Sequence, residues 1–386
     1  MIDKGNEVNI YSIYPSKDQI IHEQVKTHHL IEKTQYFFYP KGYTITKLWL
    51  TLKFVFANLS KANPKRTVKG LKSIFSRKIE PLFGFNFIFL NGIQDLDILH
   101  AHFGEIGVLA SKVKMAGLIP NTKVVVSFHG HDIFPFRKDF YRKEYAILKK
   151  FSSALIVNSF YSLSLVEDII PCSHAKVLPV GLSLSYFKPQ HNSLSRSKIR
   201  IVFLGRLVYL KGGLLMFEIF RQLLPSNPGL ELVIIGDGEQ RGEIEEKIKE
   251  FGLSNSIKLK GTLSQDRVIE EFNESSIYVY PGMQDPIFKA GDTQGLVIQE
   301  AQAMELPVVC SDVGGIKYGM VDGETGFLVK EGDIDGFVEK IQLLIDQPDL
   351  RDKMGKAGRA FVKKHFDSKL IGDQLQSVYT EVLNEG

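Results

Sequence analysis

Short apolar runs, mostly β-branched, alternate along the chain with longer stretches whose apolar positions recur every third or fourth residue. The first pattern predicts buried strands, the second amphipathic helices. Strands are predicted at 7–14, 96–102, 123–128, 154–158 and 176–179, and helices at 106–116, 138–151 and 162–169. Residues 17–34 read as a helical or irregular polar segment. The most polar stretch, 190–198, lacks periodicity and is predicted to be a linker. Beyond it the alternation restarts, with strands at 199–204, 230–235, 257–260, 277–280, 308–310 and 326–329. Helices are predicted between them at 214–224, 240–251, 266–272 and from the loop 291–295 to Met304, then at 334–344, 349–364 and 368–383. Strands separated by helices and joined by short turns predict parallel sheets covered on both faces.

With 386 residues and 44% hydrophobic content, the chain can build two α/β lobes, each Rossmann-like, with ligands at the carboxyl ends of both sheets. Residues 1–189 are expected to form the first lobe and 199–365 the second, with a last helix in 366–386 packing back on the first. The stretch 291–315 stands out within the second lobe, because a glycine-bearing loop opens a helix that carries Glu300 in an apolar stripe of Leu296, Val297, Ala303 and Met304. A carboxylate there either points to solvent or needs a partner, such as ligand hydroxyls at a helix mouth suited to an anion.

Charge changes the picture. Residues 1–190 hold 25 Lys and Arg against 14 Asp and Glu, and the remainder 23 against 30. The excess concentrates in 41–78, where Lys41, Lys47, Lys53, Lys61, Lys65, Arg66, Lys69, Lys72, Arg77 and Lys78 occur without an acidic residue, beside Trp49, Phe54 and Phe56. Such a segment is either an ordinary solvated basic face or a contact with an anionic membrane surface, and its order of aromatics and cations matches no nucleic-acid signature. Cys172 and Cys310 are too few for a disulfide framework or a thiolate metal site, and a reducing, cytoplasmic setting fits. No apolar run reaches the roughly 18 to 20 residues of a spanning helix.

Four features can carry chemistry. The turn from Gly205 through Arg206 to Lys211, Gly212 and Gly213 brings two cations and a permissive backbone to a helix start, which suits a diphosphate; the alternative is a solvated surface turn. Gly236, Gly238 and Gly242 approach a dinucleotide fingerprint, but the third glycine is one residue late, so the turn more simply closes a strand-to-helix corner whose backbone can line a nucleotide pocket. Gly261 ends a strand on the same sheet edge. In the first lobe, His100, His102, His129, His131 and Asp132 follow two strand ends. Zinc would require the two loops to meet, and His100 reads as packed, whereas His129 is expected to face the cleft.

Taken together, Gly205-Arg206-Leu207 with Lys211-Gly212, Gly236-Asp237-Gly238, the acidic pair Asp292 and Glu300, Asp312-Val313-Gly314-Gly315 and Asp322-Gly323-Glu324-Thr325-Gly326 resemble the family-4 retaining glycosyltransferases of the GT-B fold. His100-Ala101-His102-Phe103-Gly104 and Phe128-His129-Gly130-His131-Asp132 are similar to the exopolysaccharide or colanic-acid type, over about residues 95–365. The resemblance implies a metal-independent, cofactor-free enzyme that moves a sugar from a UDP- or GDP-linked donor to a glycan or lipid-linked acceptor. The acceptor would belong to a growing exopolysaccharide, capsule or lipopolysaccharide, with the enzyme cytoplasmic at the inner face of the cell membrane. It implies that Arg206 and Lys211 hold the diphosphate, Glu300 the ribose hydroxyls, and amides around Gln294, Gly295 and Leu296 the leaving phosphate. Asp292 would touch the sugar, with His129 beside sugar and acceptor. Two departures stand out: Asp292 occupies a position usually held by Glu, and the first strand and helix of the N-terminal lobe are expected to be lacking. The second departure leaves open an inactive nucleotide-sugar-binding subunit of a glycan assembly complex.

Overall fold

The structure, a computed structural model, describes residues 1–13, 23–37, 44–59, 64–76, 79–89, 96–171, 175–190 and 198–385. Most of the predicted linker lies outside these residues, as do Lys41, Lys61, Arg77, Lys78 and Cys172. The first part comprises β1 (Ile10–Ser12), α1 (Glu23–Thr27), β2 (Thr34–Tyr36), α2 (Thr44–Asn58), α3 (Pro64–Phe75), α4 (Pro81–Phe89), β3 (Ile98–His102), α5 (Gly104–Met115), β4 (Lys123–Ser127), α6 (Lys138–Glu144), α7 (Leu148–Phe151), β5 (Ala154–Val157), α8 (Phe160–Ile169) and β6 (Ala175–Val177). The second comprises β7 (Arg200–Leu204), α9 (Gly213–Leu223), β8 (Glu231–Ile235), α10 (Arg241–Glu250), β9 (Ile257–Gly261), α11 (Gln265–Glu274), β10 (Ile277–Tyr280), α12 (Leu296–Ala303), β11 (Val308–Ser311), β12 (Gly326–Val329), α13 (Ile334–Asp346), α14 (Pro348–His365) and α15 (Ser368–Asn384).

Two parallel sheets dominate. One runs β3-β4-β5-β6 and the other β12-β11-β10-β7-β8-β9. In the second sheet, β7 lies between β8 and β10, so the crossovers leave it in opposite directions and open a crevice at the carboxyl ends of β7 and β10. Its two faces are buried separately. Ile201, Phe203, Phe217, Phe220 and Phe337 fill one, while Val202, Tyr278, Ile298, Val308 and Phe366 fill the other. β1 and β2 pair with each other in parallel, with Ile10 opposite Thr34, in a sheet of their own.

Two sequence expectations need revision. The predicted helix at 138–151 is broken by a tight turn at Tyr145–Ile147, because the buried Tyr145 reaches inward to donate its hydroxyl to the Asp132 carbonyl at 2.7 Å. Helices α2, α3 and α4 occupy a region whose periodicity gave no helical prediction.

After α14 the chain returns to the first lobe. Leu182 N–H donates to the Phe366 carbonyl at 2.7 Å, and Ser368 N–H to the Leu182 carbonyl at 2.9 Å. Helix α15 then lays Val378 and Val382 on Val125, Ala154 and Ile156 of the first sheet.

Helix α12 is held from behind by α14. A Cβ on Gly355 would lie 2.1 Å from the Glu305 carbonyl oxygen, so the two backbones approach as only glycine allows. Arg359, one turn further along, donates to the Ala303 carbonyl at the end of α12 and to the Phe187 carbonyl at 3.0 Å. Gly355→Ala is therefore expected to push α14 off α12 and to cost about 1–3 kcal/mol of stability in urea unfolding, the usual range for overpacking.

Candidate active site

The crevice between the lobes contains a cavity of about 300 Å³. Two loops of the second lobe build one wall. After β7 the chain passes Gly205 and Arg206 and turns tightly at Tyr209–Lys211 before Gly212, whose φ is +74°. A Cβ at Gly212 would stand 1.8 Å from the Pro281 carbonyl oxygen, so this glycine lets the β7 loop close onto the exit of β10. The β10 loop leads to Gly295 at φ +71°, which starts α12 without a side-chain cap. The leading amides of α12, at Leu296 and Val297, thus head a helix whose positive end faces the cavity.

Charges meet at this junction. The Lys211 ammonium lies 2.5 Å from the Asp292 carboxylate, and the Tyr280 hydroxyl donates to the same oxygen. Burial, and then the neighbouring Asp292, raise the Tyr280 phenol well above its ordinary pKa, so it remains a donor at neutral pH. The Arg206 side chain is exposed and makes no hydrogen bond or ion pair among the described residues. Glu300 is half-buried and likewise unpaired among them; burial alone raises its carboxyl to about 7.

Of the residues singled out from sequence, His129, Gly205, Lys211, Asp292, Gln294, Gly295 and Leu296 line the cavity. Arg206 follows Gly205 in the chain, and Glu300 lies one helical turn beyond Leu296. Gly236 and Gly261 lie beside the cavity wall: Gly236 N–H donates to the Gly261 carbonyl at 2.8 Å, and a Cβ on Gly236 would lie 1.9 Å from the Gly205 carbonyl oxygen. These glycines let the ends of β7, β8 and β9 close together. The Gln294 side chain is engaged across the cleft, accepting from Val180 N–H at 2.9 Å and donating to the Val180 carbonyl at 3.1 Å.

In the first lobe the two histidine loops do meet. His102 Nδ1 is 3.0 Å from His129 Nε2, and their rings stack with centroids 5.2 Å apart. This is a hydrogen bond between imidazoles, and among the described residues no group of three His, Cys, Asp or Glu can hold a metal ion. His100 is packed, bonded to Tyr379 at 2.6 Å and Ser127 at 2.7 Å. Burial lowers all three pKa values, that of His100 to about 3, so the rings are neutral at pH 7.

The residue that shapes both loops is Asp132, which sequence reading weighed only as a metal ligand. Its buried carboxylate accepts from Gly104 N–H at 2.8 Å, His129 N–H at 3.0 Å and Gly130 N–H at 3.1 Å. The sequence also gave no cue for the contacts between lobes. Asn158 donates to Thr293 at 3.0 Å and Gly291 N–H to the Tyr161 hydroxyl at 3.3 Å. Tyr280 read only as part of a buried strand, and nothing local announced its bond to Asp292.

Two facing lobes with parallel sheets and a ligand-sized crevice between them define the GT-B class of fold. A crystal structure of Anabaena Alr3699/HepE, in complex with UDP and glucose, has the same fold, with a TM-score of 0.66 at 19% identity over 78% of this chain and 82% of that one. Residues 187–361 match the family "Glycosyl transferases group 1". Among curated relatives, the capsular polysaccharide biosynthesis glycosyltransferase CapM of Staphylococcus aureus is 31% identical over 213 residues, 53% of this chain and 54% of the relative. The chain thus spans about half the length of CapM. The putative colanic acid biosynthesis glycosyltransferase WcaL of Escherichia coli K12 is 24% identical over 288 residues, 73% of this chain and 70% of the relative.

Glu300 gives the site a pH signature. In the unfolded chain it titrates near 4.5, in the folded protein near 7. Between these values the folded state keeps a proton that the unfolded state has lost, so this group's contribution to stability falls as pH rises through the window and is level above it. Glu300→Gln, which cannot ionise, should therefore gain on the parent by about 2–3 kcal/mol as pH rises from about 5 to about 8. Paired urea titrations at the two pH values measure this.

Proposed function

We propose that this protein transfers a sugar, with retention at the anomeric carbon, from a UDP- or GDP-linked donor to a growing cell-surface glycan of the exopolysaccharide, capsule or lipopolysaccharide kind. The observation that carries this reading is the meeting of Lys211, Asp292 and the uncapped helix start at Leu296 in one cleft, with the exposed Arg206 next in the chain to the cavity-lining Gly205 and the unpaired Glu300 one turn along α12 from Leu296. A diphosphate matches the cations and the helix start, and a ribose diol matches Glu300. The cations and helix amides neutralise the leaving diphosphate in place of a metal ion. Asp292 takes a hydroxyl of the transferred sugar, and the neutral His129 on the opposite wall stands between sugar and acceptor. In this division residues 1–189 serve the acceptor and 199–365 the donor. The names of CapM and WcaL, which place those relatives in capsule and colanic-acid biosynthesis, support the glycan as acceptor class.

Donor binding is the direct test. UDP- and GDP-sugars are titrated against the parent and against Arg206→Ala, Lys211→Ala and Glu300→Ala. Each substitution is expected to weaken donor binding by about 1.5–3 kcal/mol, the range for hydrogen bonds to charged groups. Unchanged affinity in all three would sink the reading.

The same reading puts the first lobe at an anionic membrane surface. Among the described residues of α2 and α3, Trp49, Phe56, Val68 and Phe75 are exposed, alongside Lys53, Lys65, Lys69 and Lys72. No helix among the described residues is long and apolar enough to cross a membrane. Apolar rings with interspersed cations suit an interfacial contact, each well-placed cation adding about 1 kcal/mol. The protein is expected to float with vesicles containing phosphatidylglycerol at low salt and to be released by high salt; failure to float at low salt refutes the contact.

A further inference from the structure

Lys211 and Asp292 are each expected to contact the donor, yet in this structure each satisfies the other. Their side chains are 19% and 23% exposed, so neither charge is fully hydrated and each depends on its partner. The Tyr280 hydroxyl is the third member, donating to the Asp292 oxygen that Lys211 approaches, while its ring lies 5.7 Å below the ammonium. Arg206, by contrast, stands exposed and ready. An incoming diphosphate therefore meets one free cation and one that must be taken from a carboxylate.

The cost of that exchange depends on what arrives with the diphosphate. When Lys211 turns to phosphate, Asp292 keeps only the Tyr280 hydroxyl and faces new negative charge in a partly dehydrated site. An intact nucleotide sugar carries hydroxyl donors that replace the lost ammonium. A free nucleoside diphosphate, the product after transfer, keeps only the ribose hydroxyls assigned above to Glu300, has none at the sugar position and leaves the carboxylate short of a partner. We propose that Asp292, pinned by Tyr280, is a specificity-determining counter-ion that makes the cleft favour the intact nucleotide sugar over the free nucleoside diphosphate and so promotes product release. Tyr280 is a positioning residue: it holds Asp292 in place while the ammonium changes partners. The inference rests on the donor reading above and extends it from recognition to turnover.

The test compares dissociation constants of UDP, GDP, UDP-glucose and GDP-mannose by calorimetry for the parent, Asp292→Asn and Tyr280→Phe, with Arg206→Ala as a control. Asp292→Asn keeps the side chain's shape and removes its charge. It is expected to bind the free diphosphate about tenfold more tightly, on the scale of one charge pair near a protein surface, and to lose the preference for the nucleotide sugar. Added salt should shrink the gain. Tyr280→Phe should move the ratio the other way, weakening the free diphosphate more than the nucleotide sugar, because Asp292 then has no partner once Lys211 leaves. If Asp292 serves only to hold Lys211 in position, Asp292→Asn will bind free UDP and GDP no better than the parent or worse, and the proposal is overturned. An unchanged ratio in Tyr280→Phe overturns the role given to that residue. Binding that Arg206→Ala abolishes while Asp292→Asn leaves it unaltered defeats this inference alone. Absence of binding by any of the four nucleotides defeats the donor reading as well.

Discussion

The second lobe is built around an ion pair whose members come from opposite crossovers. Lys211 follows β7 and Asp292 follows β10, and the two meet only because β7 and β10 are neighbours from which the chain departs in different directions. Everything near the pair serves that approach. Gly212 removes the Cβ that would strike the Pro281 carbonyl, and Tyr280, the last residue of β10, directs its hydroxyl out of the core to meet the carboxylate. A parallel sheet supplies the crevice without further construction, because its carboxyl ends all open to one side.

The first lobe answers with a carboxylate of a different kind. Asp132 is buried and bound by three backbone amides, which fix the turns carrying Phe103 and His129. Those amides belong to the main chain and cannot leave without unfolding the loops. Asp292 is bound by two side chains, of which Lys211 can reorient. One carboxylate is therefore architecture, and the other is available for exchange, although both are aspartates on loops at the carboxyl edge of a parallel sheet.

The alternation of strands and helices was legible because β-branched runs and three-to-four spacing are local signals, and from 96 onward the observed elements fall within a few residues of those expected. Arg206, Lys211, Asp292 and Glu300 could be singled out because glycine turns and a charge within an apolar stripe are visible in sequence. Partnership was not. That Lys211 pairs with Asp292, that Gln294 brackets Val180, and that Tyr145 breaks a helix to reach Asp132 all depend on residues distant in the chain. Helix α2 escaped because the exposed Trp49, Lys53 and Phe56 interrupt the apolar stripe by which a core-facing helix is recognised.

Helix α15 bears on the order of assembly. The face of the first sheet formed by Val125, Ala154 and Ile156 is covered by Val378 and Val382, and Lys4 and Asn6 bond to Asp373 and Gln376 on the same helix. The second lobe, by contrast, has all its strands and its flanking helices by the end of α14. During synthesis the lobe made first is thus finished last. Its apolar face stays open on the ribosome until α15 emerges, so the late-made lobe can close while the early one still waits for its cover.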